Sequence, residues 1–253
     1  MSLFRVQDLS VSLAGRPVLE AVSLDVGAGE FVGIIGPNGA GKTTLMRAAL
    51  GLVPADGESS LGRLARSARA PRAAWMPQDR SIAWPISVEA LVMLGRLPHR
   101  GAGRAAGAAD RAQVAEAIRR VGLQGFEARA VTKLSSGERN RALIARALAQ
   151  QTPLILADEP IAGLDPAHQI GTMETFAELA GDGRAVVLSI HDLGLAARHC
   201  TRLVLLGEQR VVADGPPARV LTPDNLARIF GIEAYLSETE HGLVYHSLRV
   251  LAP

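Results

Sequence analysis

Two short stretches carry residues whose types and spacing could act on a phosphate. Gly36-Pro37-Asn38-Gly39-Ala40-Gly41-Lys42-Thr43 has the spacing of a phosphate-cradling loop, and Thr44 continues into a helical pattern. Glycines let backbone N–H groups turn inward on a phosphate without interference from Cβ, and a helix N-terminus adds partial positive charge at the same point. In such a loop Lys42 reaches the β- and γ-phosphates and the Thr43 hydroxyl ligates Mg²⁺. The spacing therefore implies a bound nucleoside triphosphate. The second stretch, Leu154-Ile155-Leu156-Ala157-Asp158-Glu159, is an apolar run ending in two carboxylates. A strand buried on both faces tolerates acids only where it emerges from the sheet. In a nucleotide hydrolase Asp158 would hold Mg²⁺ through its water shell, and Glu159 would orient and deprotonate the attacking water. The alternative is that the two acids merely open a turn before Pro160.

The surrounding pattern supplies elements that could position both. Phe31-Val32-Gly33-Ile34-Ile35 reads as a strand feeding the loop, and Thr44 to Leu50 reads as the helix leaving it. Residues 4 to 35 form short alternating runs separated by Gly15-Arg16-Pro17 and Gly27-Ala28-Gly29, the pattern of strands joined by tight turns. Gly51 to Gly57 punctuates strongly, and the basic stretch with Arg63, Arg66, Arg69 and Arg72 reads as a solvated edge or loop. Ile86 to Leu97 is helical in pattern, the Gly/Ala-rich segment Gly101 to Asp110 has no clear assignment, and helical periodicity resumes from Arg111 to Val121. Strand patterns return at Leu154 to Ala157, Ala185 to Ile190 and Leu203 to Leu206. Strand alternating with helix predicts an α/β fold with a mainly parallel sheet, which binds ligands beyond the carboxyl ends of its strands. The pattern divides one domain, 1–253, into a core of 1–81 and 151–215, an inserted helical subdomain at 82–150 and a short C-terminal tail at 216–253.

Composition bounds the function classes. The chain has 253 residues, 48% of them apolar and 21% charged, enough for a large buried interior. Its apolar runs fall far short of the ~18 residues that a membrane-crossing helix needs. The start Met1-Ser2-Leu3-Phe4-Arg5-Val6 lacks the features of a signal peptide, which predicts retention in the cytoplasm. The single Cys200 excludes an internal disulfide and a cysteine-built metal site. A formal charge of +2, from 27 basic and 25 acidic residues, is too small to argue for nucleic acid.

Leu134-Ser135-Ser136-Gly137-Glu138 resembles the signature of ATP-binding cassette (ABC) ATPases, whose usual form is Leu-Ser-Gly-Gly-Gln. A Ser/Gly segment at a helix start is an anion site, with the Ser135 hydroxyl and the Gly137 amide as donors; the same segment serves equally as an ordinary N-cap. The resemblance extends over residues 4 to 215. Gln78, in Trp75-Met76-Pro77-Gln78-Asp79, matches the glutamine loop that senses Mg²⁺ and links core to helical subdomain. Ala162-Gly163-Leu164-Asp165 matches the D-loop, with Asp165 as its acid. His191 matches the switch histidine that contacts the γ-phosphate and steadies the water held by Glu159. His168, His199, His241 and His246 have no position in the motif series and read as ordinary surface or structural residues.

The resemblance implies a P-loop NTPase (RecA-like) fold with an N-terminal antiparallel β part, ATP and Mg²⁺ as ligands, and hydrolysis of ATP. It also implies a second copy, paired head to tail, so that Lys42 of one chain and Ser135 of the other hold the same nucleotide. Two positions depart from the family pattern. Leu13 stands where an aromatic residue usually stacks on adenine, and Ser136 stands where glycine is usual.

Within the family, Gly95-Arg96-Leu97-Pro98-His99 resembles a Gly-Arg-aromatic-Pro-His run frequent in importers of iron chelates, haem and cobalamin, with Leu97 in place of the aromatic. Taken alone, the run only ends a helix. The wording from Leu134 to Arg139 and the short tail point the same way. The resemblance then implies a peripheral ATPase subunit on the cytoplasmic face of the bacterial inner membrane, working with a separate membrane permease and a solute-binding protein, and with no nucleic acid. The permease is expected to dock near Gln78 and the Ser81-Ile82-Ala83-Trp84-Pro85 loop, where Trp84 is either an interface anchor or a core residue. The alternatives are import of another solute, or a soluble cassette ATPase that moves none; the single cysteine argues against the zinc-binding members of that last class.

Overall fold

The computed structural model describes residues 2–79, 82–100, 105–240 and 242–251. Ser81 of the expected docking loop, residues 101–104 of the Gly/Ala-rich segment, and His241 lie outside the described residues.

Alternation builds the first layer. In β1 (Ser2–Leu13) and β2 (Arg16–Gly27) the buried residues Phe4, Val6, Leu9, Val11, Leu19, Val22, Leu24 and Val26 line one face of an antiparallel pair. The period of two breaks between Val6 and Leu9, where the register shifts and Asp8 takes a φ of 49°. The extra residue returns Leu9 to the buried face. These two strands are longer than the short runs expected for residues 4 to 35. Next comes β3 (Phe31–Ile35), all five residues buried, which feeds the glycine-rich loop and α1 (Lys42–Ala49). β4 (Asp56–Ser59) turns back to pair with β1, giving the sheet order β2-β1-β4. The basic stretch contains one helical turn, α2 (Arg66–Arg69), and is not wholly solvated: Arg69 donates to the carbonyl of Leu50 at the end of α1.

The central sheet adds β5 (Ala73–Met76), β6 (Leu154–Asp158), β7 (Ala185–Ser189), β8 (Arg202–Gly207) and β9 (Arg210–Gly215), in the order β5-β6-β7-β3-β8-β9. All neighbours are parallel except β8 and β9. Every residue of β3, β6 and β7 is buried, as two covered faces require. One apolar cluster lies between this sheet and the antiparallel layer, and the other lies on the helical side.

Between β5 and β6 the chain is helical. α3 (Val88–Met93) is capped by Ser87 and tightens into a 3-10 segment, Leu94–His99. The α-helix expected from Ile86 to Leu97 is thus shorter, because Pro98 lacks a donor and its ring crowds the preceding turn. α4 (Ala108–Arg120) and α5 (Ser136–Ala149) follow, with Val114, Ile118, Leu143, Ile144 and Leu148 buried. α6 (Pro166–Gly181) and α7 (Leu193–His199) return the chain to the sheet. The segment expected as a short tail is more ordered than that: β10 (Ile232–Thr239) and β11 (Gly242–Val250) form an antiparallel hairpin. Leu236, Leu243 and Tyr245 turn inward onto the core beside α7, while Tyr235 and Leu248 face out. None of the helices is long and apolar enough to cross a membrane among the described residues.

Candidate nucleotide site

The parallel strands β6, β7 and β3 lie side by side, with Asp158 opposite Ser189 and Ser189 opposite Ile34. Their carboxyl ends therefore bring the phosphate loop, the two acids and His191 to one edge of the sheet. Gly36 leaves β3 with a φ of 149°, and a Cβ there would lie 2.3 Å from the carbonyl oxygen of Leu206 in β8, so only glycine fits. Gly41 occupies the N-cap of α1 and supplies no capping side chain. The helices that begin after Ser135, Asp165 and Asp192 are each closed by a cap side chain. The first N–H groups of α1, with Thr43 and Thr44 in its opening turn, are left for a ligand, and no acidic residue stands there to repel an anion.

Lys42 is buried and its ammonium donates to the carbonyls of Gly36 at 2.7 Å and Pro37 at 2.9 Å, spanning the loop that also holds Asn38, Gly39 and Ala40. Burial pulls its pKa below the usual lysine value, and the negative charges of Glu159 and Asp158 act against that shift.

Asp158 is 1% exposed at the end of β6. Its Oδ1 accepts a hydrogen bond from Ser189 Oγ at 2.6 Å, and its Oδ2, though buried, has no protein partner. Ser189 also accepts the backbone N–H of Glu159 at 2.9 Å, so one hydroxyl sets both the carboxylate of the first acid and the backbone of the second. Glu159 turns the chain with a φ of 50°, a conformation that costs a residue with a side chain on the order of 1–3 kcal/mol. Its Oε1 lies 2.5 Å from His191 Nε2. Asn140, 1% exposed on α5, donates to the carbonyl of Pro160 at 2.5 Å and ties the following turn to the helix that begins at Ser135.

Ser189 and Asn140 were not among the sequence candidates. The available signals were a hydroxyl at the carboxyl end of an otherwise apolar strand, and a lone amide on the buried side of a helix.

The remaining candidates stand on other elements. Gln78 is exposed two residues beyond the end of β5, on the strand edge next to Asp158, where Met76 pairs with Ala157. Ser135 is an N-cap here: its Oγ accepts from Glu138 N at 3.2 Å while the Glu138 carboxylate accepts from Ser135 N at 2.8 Å. That backbone bond holds the Glu138 carboxyl below its usual pKa. The cap occupies an acceptor lone pair of Ser135 and leaves its O–H available as a donor, so the capping and anion-binding readings are compatible. Gly137 lies in the first turn of α5 against Leu164. Asp165 caps α6, accepting from His168 N at 3.0 Å, with its other oxygen 2.5 Å from His168 Nδ1; these bonds depress its pKa. His168, expected to have no special place, is thus the partner of the D-loop acid. Among the described residues no hydrogen bond joins Ser135 or Gly137 to the phosphate loop. Leu13, at the tip of the β1–β2 hairpin, is exposed, and so is Trp84, at 70%, which removes the core reading of that residue.

Comparison with known proteins accords with this geometry. The family model for ABC transporters matches residues 19–162. The cobalamin import ATP-binding protein of Halobacterium salinarum is 45% identical over 89% of this chain and 58% of its own length, so the chain spans little more than half of that relative. The hemin import ATP-binding protein of Streptomyces coelicolor is 44% identical over 88% of this chain and 81% of its own. That of Pseudomonas aeruginosa is 41% identical over 96% and 99%. Among solved structures, an inward-facing ABC transporter described as of metal-chelate type superimposes with a TM-score of 0.85 at 25% identity, covering 98% of this chain and 97% of the other. A dimeric ATP-binding cassette in a post-hydrolysis state with ADP and Pi gives 0.74 at 26% identity, covering 85% and 98%. The matched family model, these relatives and a phosphate loop set beside two strand-end acids lead to one conclusion: the chain belongs to the ABC transporter family.

Proposed function

We propose that the chain hydrolyses ATP to energise import of an iron chelate, haem or cobalamin through a separate permease. The observation that carries the hydrolytic part is the pair Glu159–His191, held at 2.5 Å on the strand edge that also bears Lys42. The relatives' printed functions, cobalamin and hemin import, support the solute class.

In this reading backbone N–H groups between Asn38 and Thr44 wrap the phosphates, and Lys42 exchanges its two loop carbonyls for phosphate oxygens. Glu159 accepts a proton from the attacking water, and His191 holds the Glu159 carboxylate in place and steadies the γ-phosphate. The donor set suits Mg²⁺: a buried carboxylate oxygen without a protein partner, Asp158 Oδ2, is the kind of hard acceptor such an ion or its water shell takes up. Asp158, Thr43 and Gln78 would hold the ion, which neutralises charge on the β- and γ-phosphates. Ser135 and Gly137 of a second copy close over the same nucleotide, with Asp165 beside them. Loss of the γ-phosphate then releases the clamp, and opening and closing is what a permease can use. The permease would dock beside Gln78 with Trp84 as an anchor, which puts the subunit at the cytoplasmic face of the membrane; a solute-binding protein would deliver the cargo on the other side.

Glu159→Gln tests the catalytic assignment. It should abolish turnover and accumulate ATP-bound dimers on size exclusion; a variant that hydrolyses ATP at the parent rate would overturn it. Isolating the chain with its membrane partners and identifying the permease tests the import assignment.

A further inference from the structure

The run Gly95-Arg96-Leu97-Pro98-His99 does more than end a helix. Its 3-10 backbone lies directly on α5: a Cβ on Gly95 would come within 2.2 Å of the carbonyl oxygen of Arg146. Arg96 is 7% exposed, and its guanidinium reaches α4, the end of α5 and the connection that follows it. It donates to the carbonyl of Ala149, the last residue of α5, at 2.7 Å, to Gln151 Oε1 at 2.8 Å, and to Asp110 Oδ1 at 3.0 Å. Asp110 in turn closes the N-terminus of α4 through the amide of Gly107. His99 Nε2 lies 2.5 Å from the carbonyl of Gln150 and donates to it. Gln150 passes the connection to the core, donating to the carbonyls of Ala70 at 2.7 Å and Ala73, the first residue of β5, at 3.2 Å. Orphan carbonyls at the end of α5 are thus taken by the Arg96 guanidinium, a cation that the helix dipole favours, and by an imidazole N–H of His99.

These bonds all sit at the opposite end of α5 from Ser135. We infer that Arg96 and His99 are positioning residues, which set where the signature end of α5 stands by clasping its other end to α4 and β5. The inference rests on the two-copy reading above. A helix of this length is a lever of about 21 Å, so a tilt of about 3° at the clasp displaces Ser135 by about 1 Å. Displacements of that size are costly where two surfaces must close on one phosphate.

ATP-driven dimerisation in the Glu159→Gln background separates the possibilities. Adding Arg96→Met, which keeps the side chain's bulk but removes its donors, should weaken dimerisation roughly tenfold, as loss of charge-assisted hydrogen bonds does. The affinity of the single chain for ATP should stay close to that of the parent, and melting should remain a single cooperative transition, at a lower temperature because the buried partners of Arg96 lose their donor. His99→Ala should act in the same direction more weakly, and His99→Gln, which keeps an N–H donor, should recover the loss. With Glu159 restored, Arg96→Met should regain turnover as protein concentration rises, which a merely damaged fold would not do. Unchanged dimerisation in Arg96→Met, or an equal loss of ATP affinity in the single chain, would overturn the inference and leave the two-copy reading standing. If Glu159→Gln alone forms no ATP-dependent dimer, that reading fails and the inference fails with it. Should Arg96→Met not fold, the exposed His99 variants decide the matter.

Discussion

Removing one hydroxyl from the strand edge should affect both acids of the site. Ser189→Ala deletes the donor that holds Asp158 Oδ1 at 2.6 Å and the acceptor of the Glu159 N–H at 2.9 Å. Ser189 is 0% exposed and Asp158 1%, so water does not readily replace either bond. A buried polar group left without its partner costs about 1–3 kcal/mol. A loss of ~2 kcal/mol in a chain of this size corresponds to a melting temperature lower by roughly 4–8 °C. The larger effect should be on turnover. With both oxygens of Asp158 lacking a protein donor the carboxylate is free to rotate, and groups that orient metal-binding carboxylates typically carry about 10–100-fold in metal affinity or activity. The assay is ATP hydrolysis at saturating nucleotide over a series of Mg²⁺ concentrations, beside thermal melting. The variant should show a lower kcat and a higher Mg²⁺ requirement. A variant that melts lower but keeps the parent's kcat and Mg²⁺ dependence would refute the positioning role and leave Ser189 a packing residue.

Leu13→Tyr should tighten ATP binding by roughly two- to tenfold, the range that aromatic stacking contributes, read as the dissociation constant for ATP against a triphosphate lacking the base. Burial pushes the Cys200 thiol above its ordinary pKa and screens it from reagents. Thiol reagents should label it only as fast as the chain unfolds; rapid labelling of the native protein would show that the strand-edge packing around it is open.

Much of the fold was legible because its signals are local. Apolar runs of five residues alternating with helical periodicity predict a parallel sheet, and the glycine spacing from Gly36 to Gly41 needs a strand before it and a helix after it. The elements that escaped depend on contacts distant in sequence. The β10–β11 hairpin has a polar, mixed pattern in which Ile232, Ala234, Leu236, Leu243 and Tyr245 reveal a partly buried face only once the core is beneath them. The expected helix through Leu97 was cut short by a single proline. At the site, the acids and the lysine stood out by spacing. Ser189 and Asn140 did not, because each acts on a partner 31 or 20 residues away and carries no motif of its own. Arg96 and His99 were visible only as a family-like run, and their physical task appears in the carbonyls at the end of α5.

The central claim is that each nucleotide is held by two chains, Lys42 from one and Ser135 with Gly137 from the other. Mixing two inactive variants tests it most directly. Lys42→Ala disables the phosphate loop, and Gly137→Asp places a negative charge in the signature without touching that loop. Each variant alone has no complete site, but a mixed dimer has one made of the intact loop of one chain and the intact signature of the other. Random pairing of equal amounts should restore up to about one quarter of the parent's ATP hydrolysis. A mixture that stays as inactive as its two components would contradict the shared site.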